Sequence, residues 1–155
     1  GDLAVAREAV DELDRVVRGR SGGHWYRAQH MADVARVSVA VGRMALARDL
    51  ADQAWPEVAR RHHGALAARA VLAETEGRLD AAAALYDQAV EQWTAYGHLP
   101  ERGYALLAAG RCLADLGRPG AYERLAEARA VFADLGARPL LALADGGLAE
   151  VERSG

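Results

Sequence analysis

The sequence predicts an all-α chain of about eight helices read from apolar period and punctuation. Three observations carry that prediction. Apolar residues recur at spacings of three and four, the period of one helix face. Alanine, the best helix former, is abundant in a chain that is 52% apolar and only 6% aromatic. Glycines stand just past the ends of these stretches and prolines just inside the starts of the next ones, the asymmetry of helix ends. No stretch shows the alternation of a strand.

The elements follow in order. The first helix spans about Leu3 to Arg18, with Leu3, Ala6, Val10, Leu13 and Val17 as one stripe. "GRSGG" at 19–23 ends it. A second runs from about Trp25 to Val41 and stops at Gly42. The third covers roughly Met44 to Arg60, with Pro56 placed to kink or shorten it. "RRHHG" reads as the next break. A fourth helix covers about Ala65 to Glu76 and is closed by Gly77. Asp80 is a candidate N-cap for the fifth, about Ala81 to Tyr96, because its carboxylate can accept from free first-turn amides. The sixth begins near Pro100 and ends before Gly117. The seventh runs from about Ala121 to Leu135, and the eighth from near Pro139 to near Arg153 across the awkward pair Gly146 and Gly147.

The helices repeat. "EGRLDAAAALYDQAVEQW" at 76–93 returns in altered form as "LGRPGAYERLAEARAVF" at 116–132. Gly42, Gly77 and Gly117 are spaced by 35 and 40 residues, and Trp93 and Phe132 by 39. Periods of this size mark stacked helical hairpins, because one hairpin cannot bury its apolar face alone. The chain therefore reads as one repeat domain over 1–155: a half-repeat at 1–20, repeats at about 24–61, 63–97 and 100–136, and a terminal helix at 139–153. It starts directly in a helical pattern and reads as a fragment of a larger protein.

Composition narrows the function. A net charge of −3 offers no basic stripe for phosphates, so direct nucleic-acid binding is not expected. All 19 basic residues are Arg; Lys, Asn and Ile, whose codons are AT-rich, are absent, which suits a high-GC bacterial genome. Without Lys there is no phosphate-cradling G-x-x-x-x-G-K-[ST] loop. Cys112, the single cysteine, fits a reducing, cytoplasmic setting, and no apolar run is long enough for a membrane helix.

No chemistry is legible. His24, His30, His62, His63 and His98 include no i,i+4 metal pair, so no metal and no cofactor is expected. Cys112 lies in an apolar helix as a small packed residue. Glu74 and Glu76 cannot share a helix face. "RGRSGGHW" at 18–25 has the glycines and arginines of an anion loop, but a connection between repeats is the plainer reading. Trp25, Trp55 and Trp93 read as inter-helix packing. The chain is not expected to be an enzyme.

The residues at fixed places in each repeat resemble the tetratricopeptide (TPR) family. One copy reads Leu66, Ala70, Ala73, Gly77, Ala82, Tyr86 and Ala89; another Met31, Ala35, Ser38, Gly42, Ala47, Ala51 and Ala54; a third Leu106, Gly110, Leu113, Gly117, Leu125 and Ala128 with one residue deleted. Small residues let helices close up while the large one fills the gap. The repeats run longer than the family's usual about 34 residues, and the Ala51 copy lacks the aromatic. Long, Ala- and Arg-rich repeats with "YALLAAGRCLADLGRP" resemble the C-terminal TPR regions of large bacterial signalling proteins, LuxR-type ATPase regulators and nucleotide cyclases. The resemblance implies a right-handed α-solenoid of stacked antiparallel hairpins and a non-catalytic protein-interaction or sensory role in signalling or transcription regulation. The partner would be a protein, a peptide or another domain of the same chain, with homodimerisation through exposed terminal repeats.

In that family the first helix of each hairpin lines a concave groove. Carried over, the groove residues are Gln29, Ala32, Asp33 and Arg36, then Ala67, Val71 and Glu74, then Tyr104, Leu107, Arg111 and Asp115. Arg36 and Arg111 share one slot two repeats apart, and a guanidinium fork can grip a carboxylate or phosphate. Two readings stand side by side: the arginines hold a ligand, or they pair with Asp33 and Asp115 at i,i+3 and i,i+4. A small-molecule effector in the same groove is the alternative to a protein partner. The Lys and Asn of the family's carboxylate clamp are missing, so that particular peptide ligand is not implied.

Overall fold

A computed structural model describes residues 2–18, 30–52 and 59–154, with the side chains of 16–18 and 59–62 outside that description. Among the described residues the chain is helical with no strand: α1 Leu3–Arg18, α2 Met31–Ala40, α3 Met44–Asp52, α4 Ala59–Thr75, α5 Leu79–Tyr96, α6 Leu99–Asp115, α7 Ala121–Asp134 and α8 Arg138–Ser154. The expected start of the second helix at Trp25, the loop before it, Pro56, Trp55 and Ala54 lie outside the described residues. The chain forms two compact units, Gly1–Thr75 and Glu76–Gly155.

In the first unit α2, α3 and α4 pack on one another and α1 packs on α2. Met31, Leu50 and Ala47 form the centre of the core and are essentially inaccessible. Among its described side chains, the predicted stripe of α1 docks at its middle; Val17 lies outside that description. Val10 is buried and Leu13 joins the core's edge, but Leu3 is 61% exposed. Polar contacts supplement this short seam. Arg7 Nη2 donates to the Val41 carbonyl at 2.6 Å, satisfying a helix-end acceptor, and Arg43 pairs with Asp11 at 2.6 Å.

"RRHHG" is not a break. α4 runs through it from Ala59, and Gly64 sits inside the helix. A Cβ at Gly64 would lie 3.1 Å from the Met31 Cβ, so this glycine permits a close crossing of α4 and α2 rather than ending a helix.

Ser38 is fully buried on α2, and its hydroxyl makes no hydrogen bond among the described residues. An unpaired buried hydroxyl costs free energy that an apolar replacement does not. Ser38→Ala should leave stability unchanged or raise it by up to about 1 kcal/mol; a lower melting temperature would refute this.

In the second unit α5, α6, α7 and α8 pack each on the next, and α6 also touches α8. Leu106, Leu125 and Phe132 are fully buried. Large residues of α7 enter holes left by glycines on its neighbours. An ideal Cβ at Gly103 would lie 2.7 Å from Phe132 Cε1, one at Gly110 2.7 Å from Leu125 Cγ, and one at Gly147 3.0 Å from Leu125 Cδ2. Gly147 of the awkward α8 pair is thus a packing glycine, whereas Gly146 faces open space.

The turns explain the repeat. At Gly42, Gly97, Gly117 and Gly136 the helix closes in one pattern. The glycine N–H donates to the carbonyl three residues back, and the next N–H donates five back: Gly117 to Ala114 at 2.9 Å and Arg118 to Leu113 at 2.9 Å, for example. All four glycines have φ between +62° and +77°, which requires a residue free of Cβ strain. Gly77, at φ +74°, adds a fifth left-handed turn. From Gly77 to Gly136 these turns come 20, 20 and 19 residues apart, so each helix with its turn takes nearly the same length of chain and two of them make one period of about 40. Gly117→Ala meets nothing within 4 Å, so only backbone strain acts; it should cost about 1 kcal/mol without loss of helix, read by urea unfolding.

Asp80 is not an N-cap. α5 starts one residue before Asp80, at Leu79, with Arg78 at the cap and no side-chain cap bond. Asp80 sits in the first turn, where a carboxylate still suits the helix dipole, and pairs with Arg118 at 2.6 Å. Arg124–Asp87 (2.7 Å), Arg102–Glu127 (2.9 Å) and Arg129–Asp145 (2.6 Å) join further helices of this unit. The hydrogen bond with Asp87 raises the Arg124 pKa above its ordinary value, against partial desolvation.

Of the described repeat positions, Leu113 is half-buried. Ala35, Ala47, Ala70, Ala73, Ala82, Ala89, Leu106 and Ala128 are all inaccessible, and Met31, Leu66 and Tyr86 are buried.

Candidate functional site

α6 is wrapped by its neighbours on most sides, and its alanines, leucines and glycines fill those contacts. Tyr104, Ala108, Arg111 and Asp115, at spacings of four, three and four, lie on one face that is half-buried to exposed, and Arg102, Leu113 and Ala114 are half-buried on other faces. Three of these are sequence-predicted site residues. Tyr104 is half-buried with its ring edge-on to Phe132 at 6.0 Å. Arg111 and Asp115 are exposed. Among the described residues Arg111 makes no ion pair, so the i,i+4 pair with Asp115, one of the two readings, is not formed here. Leu107, assigned to the same face, is buried instead.

In the first unit Arg36 Nη2 and Asp33 Oδ1 lie 2.6 Å apart, so the pairing reading holds for this arginine. The Arg36 side chain is 24% exposed. Ala32 is buried, and Gln29 lies outside the described residues. Ala67 and Val71, also assigned to the groove, are buried at 4% and 7% exposure. The helical period identified a shared face but not what covers it. Glu74 is half-buried at the end of that set.

The second unit also holds a cavity of about 450 Å³ lined by Ala114, Asp115, Gly117, Arg118, Ala121, Glu150, Val151 and Ser154. It brings the end of α6, the following turn and the last turns of α8 together. Its guanidinium, Arg118, is already held by Asp80. Sequence reasoning missed the α8 residues, although a signal existed. The 39-residue spacing of Trp93 and Phe132 carries Arg111 onto Glu150 and Asp115 onto Ser154.

Two further residues singled out in the sequence, His98 and Cys112, take part in capping and packing. His98 caps α6, its Nδ1 accepting the Glu101 N–H at 3.4 Å, and its ring lies 5.3 Å from buried Trp93. Cys112 is fully buried. Among the described residues no group of three or more His, Cys, Asp or Glu side chains is placed to hold a metal ion. No described helix is long and apolar enough to cross a membrane.

Comparison with known proteins returned no matching family model, no matching curated protein and no matching solved structure.

Proposed function

We propose that this chain is a TPR-like array acting as a non-catalytic protein-interaction and sensory module in a bacterial signalling or transcription regulator of the cytoplasm. In this reading the helices stack as a right-handed solenoid, and a protein or peptide partner binds the face of the first helix of each hairpin. The supporting observation lies on α6. One face of a largely buried helix carries a half-buried aromatic, its ring edge-on to Phe132, and an exposed guanidinium that no described acid engages. Rigid aromatics and arginines are the residue types that dominate binding energy at interfaces.

The reading ranks the two arginines. Arg36 is engaged by Asp33, whereas Arg111 is available. In a pull-down from cells of the source organism, Arg111→Glu should weaken capture of a specific partner at least about tenfold, the scale of losing one hot-spot side chain. Arg36→Glu should have a smaller effect. Equal capture by wild type and a folded Arg111→Glu variant would move the site off this face.

A small-molecule effector is the second reading, and the cavity beside Asp115 favours it, since ligand pockets commonly measure roughly 300–1,000 Å³. A metabolite that binds there should raise thermal stability by mass action, and Glu150→Gln or Asp115→Asn should change that rise.

A further inference from the structure

No further inference is drawn: the strongest candidate, the cavity of about 450 Å³ where the ends of α6 and α8 meet, is marked only by the exposed carboxylates of Asp115 and Glu150 and by an Arg118 already held by Asp80, and nothing in the structure shows what fills it.

Discussion

Phe132→Ala should be among the most damaging single changes in the second unit, costing about 3–5 kcal/mol. The ring is fully buried and rests where Gly103 leaves room on α6, 2.7 Å from the position a Cβ would take there. Removing it leaves a hole that two helices cannot easily close, because the flanking contacts through Gly110 and Leu125 already hold α6 and α7 at their separation. With a urea slope of about 1–3 kcal/mol/M, the unfolding midpoint should fall on the order of 2 M. A loss below about 1 kcal/mol would mean that the α6–α7 seam relaxes freely around this residue. The change should also reach the candidate site. Tyr104 is held edge-on by the Phe132 ring, so a partner that uses Tyr104 should bind more weakly even to the fraction that stays folded.

The later helices are legible in the sequence because most of their boundaries are punctuated. α6 and α8 each carry Pro at the second helical position, and α5, α6 and α7 each end at a left-handed glycine. Sequence and structure part where one residue type has two physical roles. Gly64 resembles a terminator because Gly117 is one, yet Gly64 continues a helix and admits Met31. Residue identity does not separate a glycine needed for positive φ from one needed for close approach; context does. Gly103 and Gly110 are seven apart, on one helical face, and neither precedes a proline or a polar turn. Asp80 departs from expectation for a smaller reason. Leu79, an apolar residue with no capping group, already belongs to the helix, which moves the first free amides two residues upstream of the expected start at Ala81.

The site divides in the same way. The face implied by the family resemblance holds Tyr104, Leu107, Arg111 and Asp115, and the structure leaves Arg111 and Asp115 exposed, Tyr104 half-buried and Leu107 buried. The same resemblance places Ala67 and Val71 on a line of α4 that is buried. A period reports which residues share a face. Whether solvent, another helix or a ligand meets the face depends on packing partners that one helix's sequence does not encode. The Arg36–Asp33 contact is legible because it is local, at i,i+3. The failure of Arg111 and Asp115 to pair is not, because an exposed i,i+4 pair gains only about 0.5 kcal/mol and competes with full hydration.

The packing glycines lead to an interaction that can be measured directly. Gly110→Ala should destabilise the second unit by about 1–3 kcal/mol through overpacking, since its Cβ would fall 2.7 Å from Leu125 Cγ and 3.1 Å from the Leu125 backbone nitrogen. Leu125→Ala should cost about 3–5 kcal/mol by leaving a cavity, because Leu125 is fully buried between Gly110 and Gly147. The double variant should be less damaged than the sum of the two. Truncating Leu125 removes the Cγ and Cδ atoms against which a methyl group at position 110 would collide, and that methyl fills part of the vacated slot. The coupling should favour the double variant by about 1–2 kcal/mol, within the range for residues in contact. Strict additivity in a urea-unfolding cycle would show that the clash is with the backbone of α7 rather than with the leucine, and the contact would then be one of helix separation alone. Gly146→Ala supplies the matched control. Its Cβ meets nothing within 4 Å, so the higher helix propensity of alanine should act by itself and stabilise α8 by about 0.5–1 kcal/mol. Opposite signs at Gly110 and Gly146 would separate glycines retained for packing from glycines that the fold does not need.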